Sequence, residues 1–279
     1  MKTSLMSFII VSAAFAGFYE VRAQNEKSVP PEANFEGTGE ADVFSSARLP
    51  ITNSTQFYLP LPRTLVKPIF LRQSFPSQVN TELGLLPVGG DLMLFGLQLE
   101  YAFNDRLSLT AFKDGYADLE PDATLGSDDG FANLAAGLKY VLIHKPDSQY
   151  VLSGYAGLEL PTGEDEVFQG TGDGSLNLIL SELKLYVDWQ FTGALGIHLP
   201  FNDDVESTTG FLSAHAGYNL TDRIYPLVEL NCYHVFSEGD GGERFSKQVG
   251  GAVPSVVRFE GGDLLNLGAS HAKDIMQLQ

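Results

Sequence analysis

The sequence is poor in sulfur, histidine and positive charge, and each shortage narrows what the chain can be. Its one cysteine, Cys232, excludes an intramolecular disulfide framework. Seventeen Lys and Arg stand against 35 Asp and Glu, for a formal charge of −18. Phosphate contact needs basic patches, so no nucleic-acid partner is expected. The five histidines, His144, His198, His215, His234 and His271, show no spacing of metal-ligand type. Cys232 and His234, two apart on one strand face, come nearest to it. Ser153 and Ser213 share the chain with His198 and His215 but lack a G-x-S-x-G elbow. The glycine-rich stretch Gly170–Gly174 lacks the lysine and following helix of a phosphate loop. No catalysis, no cofactor and no metal site are therefore expected. Nor does any stretch beyond the N-terminus reach the ~18 apolar residues of a membrane helix.

What the chain does have begins with an export signal. Lys2 precedes an apolar run from Leu5 to Phe18, followed by the small-residue site Val21-Arg22-Ala23. This reads as a secretory signal peptide over residues 1–23. Residues 24–64 carry Pro30, Pro31, Pro50, Pro60 and Pro62 with little periodicity, and read as an irregular periplasmic leader. From residue 65 to 279 the texture changes to long strand-like segments without helical period, and no domain break is evident. The 29 Gly, 19 Phe and 11 Tyr suit many strands and turns.

Eleven strands are predicted: 65–75, 91–103, 106–116, 131–143, 149–161, 174–183, 185–200, 209–220, 223–236, 263–270 and a start at 274–279. Short connections (104–105, 144–148, a reversal near 183–185, 221–222 and 271–273) alternate with long ones (76–90, 117–130, 162–173, 201–208 and 237–262). That order fits an all-β, antiparallel up-and-down transmembrane barrel with tight turns at one end and long loops at the other. Segments of about 10–14 residues approach a tilted bilayer crossing and exceed the usual globular strand. Single-chain barrels of this kind usually have an even strand count. The expectation is therefore about twelve strands, with the last strand or hairpin missing from this chain.

Parity separates two faces. Met93, Phe95, Leu97, Leu99, Tyr101 and Phe103 share one side of their segment, and Gln98 and Glu100 the other. The stretch LYVDWQFTGALGIHLP, 185–200, is read as one strand with Leu185, Val187, Trp189, Phe191 and Leu195 on its apolar side. The apolar faces are expected to meet outer-membrane lipid. The opposite faces assign to the lumen Gln98, Glu100, Lys139, Glu159, Asp188, Gln190, His198, His215, Asn219, Glu229 and Asn231. Carboxylates outnumber Lys139 and Arg106 there, which favours cations in a water-filled pore. Acidic loop runs such as Glu164-Asp165-Glu166 and Asp203-Asp204 could bridge divalent cations, although solvated loop tips are the commoner case.

Several stretches carry a family resemblance: Lys67–Gln73 before Gly89-Gly90-Asp91, Leu97–Leu109, Lys113–Asp118, Asp129–Tyr140 and Pro226–Asn231. Across about 65–270 the chain resembles the meta-pathway phenol-degradation, or transporter, barrels. The resemblance implies a barrel in the bacterial outer membrane and admits a pore for small hydrophobic or aromatic solutes. The sequence thus supports a pore or transporter for passive passage of small solutes, and not an enzyme. Two rivals stay open. One is a structural or plugged barrel, its lumen crowded by Tyr116, Tyr155, Tyr186, Tyr225 and Tyr233. The other is a secreted soluble β-barrel binding a ligand.

Overall fold

In the computed structural model the described residues are 43–51, 57–81, 84–167, 173–204, 206–221, 223–237 and 276–278. The expected signal peptide, residues 24–42 and the strand expected at 263–270 lie outside them. The chain forms β1 (Leu65–Ser74), β2 (Gln78–Thr81), β3 (Gly84–Pro87), β4 (Asp91–Ala102), β5 (Leu107–Glu120), β6 (Asp128–Phe131) and β7 (Ala135–Lys145). It continues with β8 (Tyr150–Glu159), β9 (Ser175–Tyr186), β10 (Trp189–Pro200), β11 (Thr208–Tyr218), β12 (Leu227–Ser237) and β13 (Met276–Leu278). Apart from two single 3-10 turns, every element is a strand.

Ten of these strands run in the order β1-β4-β5-β7-β8-β9-β10-β11-β12-β13, with every pairing antiparallel. The result is an up-and-down half-barrel, as the alternation of connections predicts. Among the described residues, β1 and β13 are the two ends of the sheet. The sequence misses two small pieces. The β2–β3 hairpin lies inside the expected loop 76–90, and β6 folds back onto the long-loop end of β5. The predicted segment 131–143 is accordingly two strands, broken at Ala132–Leu134.

The turn near 183–185 is displaced. It is a two-residue reversal at Val187-Asp188, so 185–200 is not a single strand. Tyr186 and Trp189 face each other across it on one side of the sheet. A two-residue hairpin keeps paired residues on one face, so Leu185 belongs to the opposite face from Trp189. Leu185 is 4% exposed and Trp189 43%. Apolar residues follow one another through the turn, which is why parity runs on unbroken in the sequence.

The two faces are otherwise as parity predicts. Phe95, Leu99, Tyr101, Leu138, Leu142, Leu158, Leu180, Leu195, Leu212 and Leu230 point outward, each more than a third exposed. A soluble domain does not leave so continuous an apolar surface in water. At the tight-turn end, Tyr101, Phe103, Tyr140, Tyr186, Trp189 and Tyr218 form an outward aromatic belt. Trp189 lies 5.0 Å from Tyr218 and 5.9 Å from Phe191, centroid to centroid. Such belts sit where an apolar ring body and a polar edge both find their preferred surroundings.

The inner face is covered by the chain's own leader. Phe44, Ala47, Phe57, Tyr58 and Leu59 are buried there. Residues 43–51 and 57–64 of the expected leader carry no strand, and they pack onto the inner face of the sheet.

Candidate functional site

From the tight turns toward the long loops, the inner face is layered. Nearest the turns, Phe44, Ala47 and Leu59 of the leader pack with Val141, Val151, Leu183 and Leu185. Further along, Phe57 and Tyr58 pack with Ala135, Tyr155, Ile179, Ala194 and Phe211, with Tyr233 alongside. Two of these rings lie flat because glycine is beneath them. A Cβ on Gly157 or Gly196 would collide with the ring of Tyr155 or Phe211 respectively. The missing side chains leave the leader its space.

Polar side chains take the leader's backbone groups one by one. Lys139 Nζ donates to the carbonyls of Leu59 and Leu61, both at 3.0 Å. It also pairs with Glu100 at 2.6 Å and lies 5.3 Å from the centre of the Tyr58 ring. Glu100 accepts from Arg63 N–H at 3.0 Å. Ser181 donates to Tyr58 O at 2.8 Å, and Ser153 to Pro60 O. Gln190 Oε1 accepts from Arg48 N–H at 2.7 Å while its Nε2 donates to Arg48 O at 2.8 Å. That is the two-point pairing a neighbouring strand would supply. A leader without secondary structure has orphan N–H and C=O groups, and burial is tolerable because these side chains satisfy them.

A second cluster holds the leader at Ile51. Its N–H donates to both Glu229 oxygens, at 3.0 and 3.2 Å. Glu229 Oε1 is 2.6 Å from His215 Nδ1, and His215 Nε2 is 2.9 Å from the Tyr225 hydroxyl. Toward the long loops, Asn133 Nδ2 donates to Glu159 Oε1 at 3.0 Å, and His198 Nδ1 is 3.0 Å from Asn177 Oδ1.

Of the eleven residues assigned to the lumen, Gln98, Glu100, Lys139, Glu159, Gln190, His215 and Asn231 are buried on the inner face. The Glu229 side chain is also buried, and His198 is half-buried there. Asn219 follows the end of β11 and is half-buried. Asp188 is displaced: it sits exposed in the β9–β10 turn, because the reversal falls at 187–188. Arg106 is likewise an exposed turn residue. Tyr186, expected to crowd the lumen, points outward and is 64% exposed. The residues missed were the leader itself and the short hydroxyls Ser153 and Ser181. Their inward parity was visible, but what they would bind was not.

Residues 85–272 match the family described as "Putative MetA-pathway of phenol degradation". The chain belongs to this family. A crystal structure of an outer membrane channel from Pseudomonas putida F1 is similar at 16% identity, with a TM-score of 0.48. That similarity covers 70% of this chain and 80% of the other. No curated protein matches.

Proposed function

We propose that this protein is an outer-membrane channel for passive passage of small hydrophobic or aromatic solutes, with its own leader seated in the lumen. In this reading residues 1–23 direct export and are removed, 24–64 form the leader, and 65–279 form the barrel. The observation that carries it is the division of one sheet into a greasy exposed face and a polar face. Hydrocarbon accepts the first, because antiparallel pairing leaves no backbone group of the inner strands unsatisfied toward lipid. The second lines a passage in which Gln98, Glu100, Lys139, Glu159, Gln190, His198, His215, Asn219, Glu229 and Asn231 stand. Family membership agrees with the solute class, as does the aromatic layer of Tyr155, Phe211 and Tyr233. Neither identifies one compound.

The filled inner face favours a second reading, a structural barrel that never conducts. Flux separates the two. Full-length protein and a variant lacking residues 43–63 are placed in liposomes and assayed for swelling with small sugars and with aromatic solutes. The channel reading expects slow entry through the full-length protein and a large rise on deletion. No entry through either form at any solute size overturns it in favour of the structural barrel. Recovery of the protein with the soluble fraction, free of detergent, overturns the membrane placement and favours a secreted ligand binder.

A further inference from the structure

The outward surface of β7–β12 is mostly apolar from the tight turns to the long loops; Lys145 and His234 break it at β7 and β12, and Glu182 and Lys184 break it together on β9. They stand two residues apart and so share a face. They do not neutralise each other. Glu182 Oε2 accepts from the Tyr150 hydroxyl at 3.0 Å, while Lys184 Nζ donates to the Ser148 carbonyl. Glu182 Oε1 has no donor among the described residues. It lies over Gly193, where a Cβ would come within 3.2 Å of it. Beside these two charges the surface sinks into a depression of about 560 Å³, within the size range of small-molecule sites. Its floor is Gly193, Ala214 and Ala216, and Phe191 and Leu230 are part of its wall.

We propose that this depression binds one phospholipid whose headgroup carries both a phosphate and a primary ammonium. The inference rests on the membrane placement proposed above. One carboxylate and one ammonium, held apart on a surface that excludes water, are costly unless a ligand of complementary charge reaches both. Glu182 Oε1 takes the lipid ammonium and Lys184 the phosphate. Tyr150 keeps the carboxylate turned toward the groove. An acyl chain then lies over the small residues, which give it depth, against Phe191 and Leu230. The site stands at the level of the aromatic belt on the tight-turn side, where a headgroup and the first methylenes of its chains meet.

The test uses the full-length chain in nanodiscs made with phosphatidylethanolamine, phosphatidylglycerol or an equimolar mixture, with bound lipid read by native mass spectrometry after release. Failure to enter any nanodisc would defeat the membrane placement, not the lipid site. Given insertion, one phosphatidylethanolamine should be retained about tenfold over phosphatidylglycerol, the worth of one charge-assisted hydrogen bond. Glu182→Gln should bring the two lipids to parity. Lys184→Met should weaken retention of both, and Ala214→Leu should displace the lipid by filling the floor. Equal retention of both lipids by the wild type, or a preference unchanged in Glu182→Gln, would overturn the proposal. Heat-modifiable gel migration confirms that each variant is folded.

Discussion

Lys139 shows at the scale of one residue why the inner face holds its leader so specifically. An ammonium with 0% residue exposure survives only where its three donors are used, and Glu100 and two leader carbonyls use them. Removing one member of a buried pair typically costs about 3–5 kcal/mol, because the other is left without compensation. Lys139→Met should therefore lower the denaturation midpoint in detergent and raise solute flux. A double variant, Lys139→Met with Glu100→Gln, should recover most of the stability, and an additive loss would contradict the pairing. Tyr58 gives a pH dependence of known sign. Burial, more than the nearby Tyr155 and Glu100, pushes its phenol well above the ordinary value. A leader released from the sheet ionises Tyr58 above pH ~10 while the docked one stays neutral, so docking weakens by about 1.4 kcal/mol per pH unit beyond that point. Conductance should rise between pH 10 and 11 in the wild type and not in Tyr58→Phe.

At the scale of the element, the β9–β10 hairpin marks both the reach of sequence reading and its limit. Parity found the outward faces of β4, β7, β8, β11 and β12 because the outward residues there are largely apolar. It failed at Leu185 because the inner face is not polar throughout. The layer nearest the turns is apolar where Phe44 of the leader packs, so Leu185-Tyr186-Val187-Asp188-Trp189 reads as one alternating run. No local signal marks this reversal, since its first residue is Val187 at φ 54°, a conformation that suits glycine and strains a β-branched side chain. Val187 is 79% exposed and packs little. Val187→Gly should thus stabilise the hairpin by about 1 kcal/mol, as the steric penalty of a left-handed residue suggests. An unchanged or lower thermal midpoint would show that the turn is not strained. The β2–β3 hairpin and β6 escaped notice for a different reason: four-residue strands are too short for a period to register.

For the molecule as a whole, the strand order and the inward placement of Glu100, Glu159 and Glu229 were legible, while the turn position of Asp188 and the occupancy of the interior were not. Pattern reports which face a side chain takes, whereas the partner of Gln190 or Ser181 is a backbone stretch more than a hundred positions away. Prolines and missing periodicity describe the leader's conformation without telling where it rests. The same distance has a consequence for biogenesis. Ile51 reaches Glu229 across 178 positions, so the segment synthesised early meets its last anchor only when β12 is in place. Contacts of such separation form slowly, since the intervening chain must be ordered first. The N-terminal portion is therefore fully gripped only when the sheet is nearly complete.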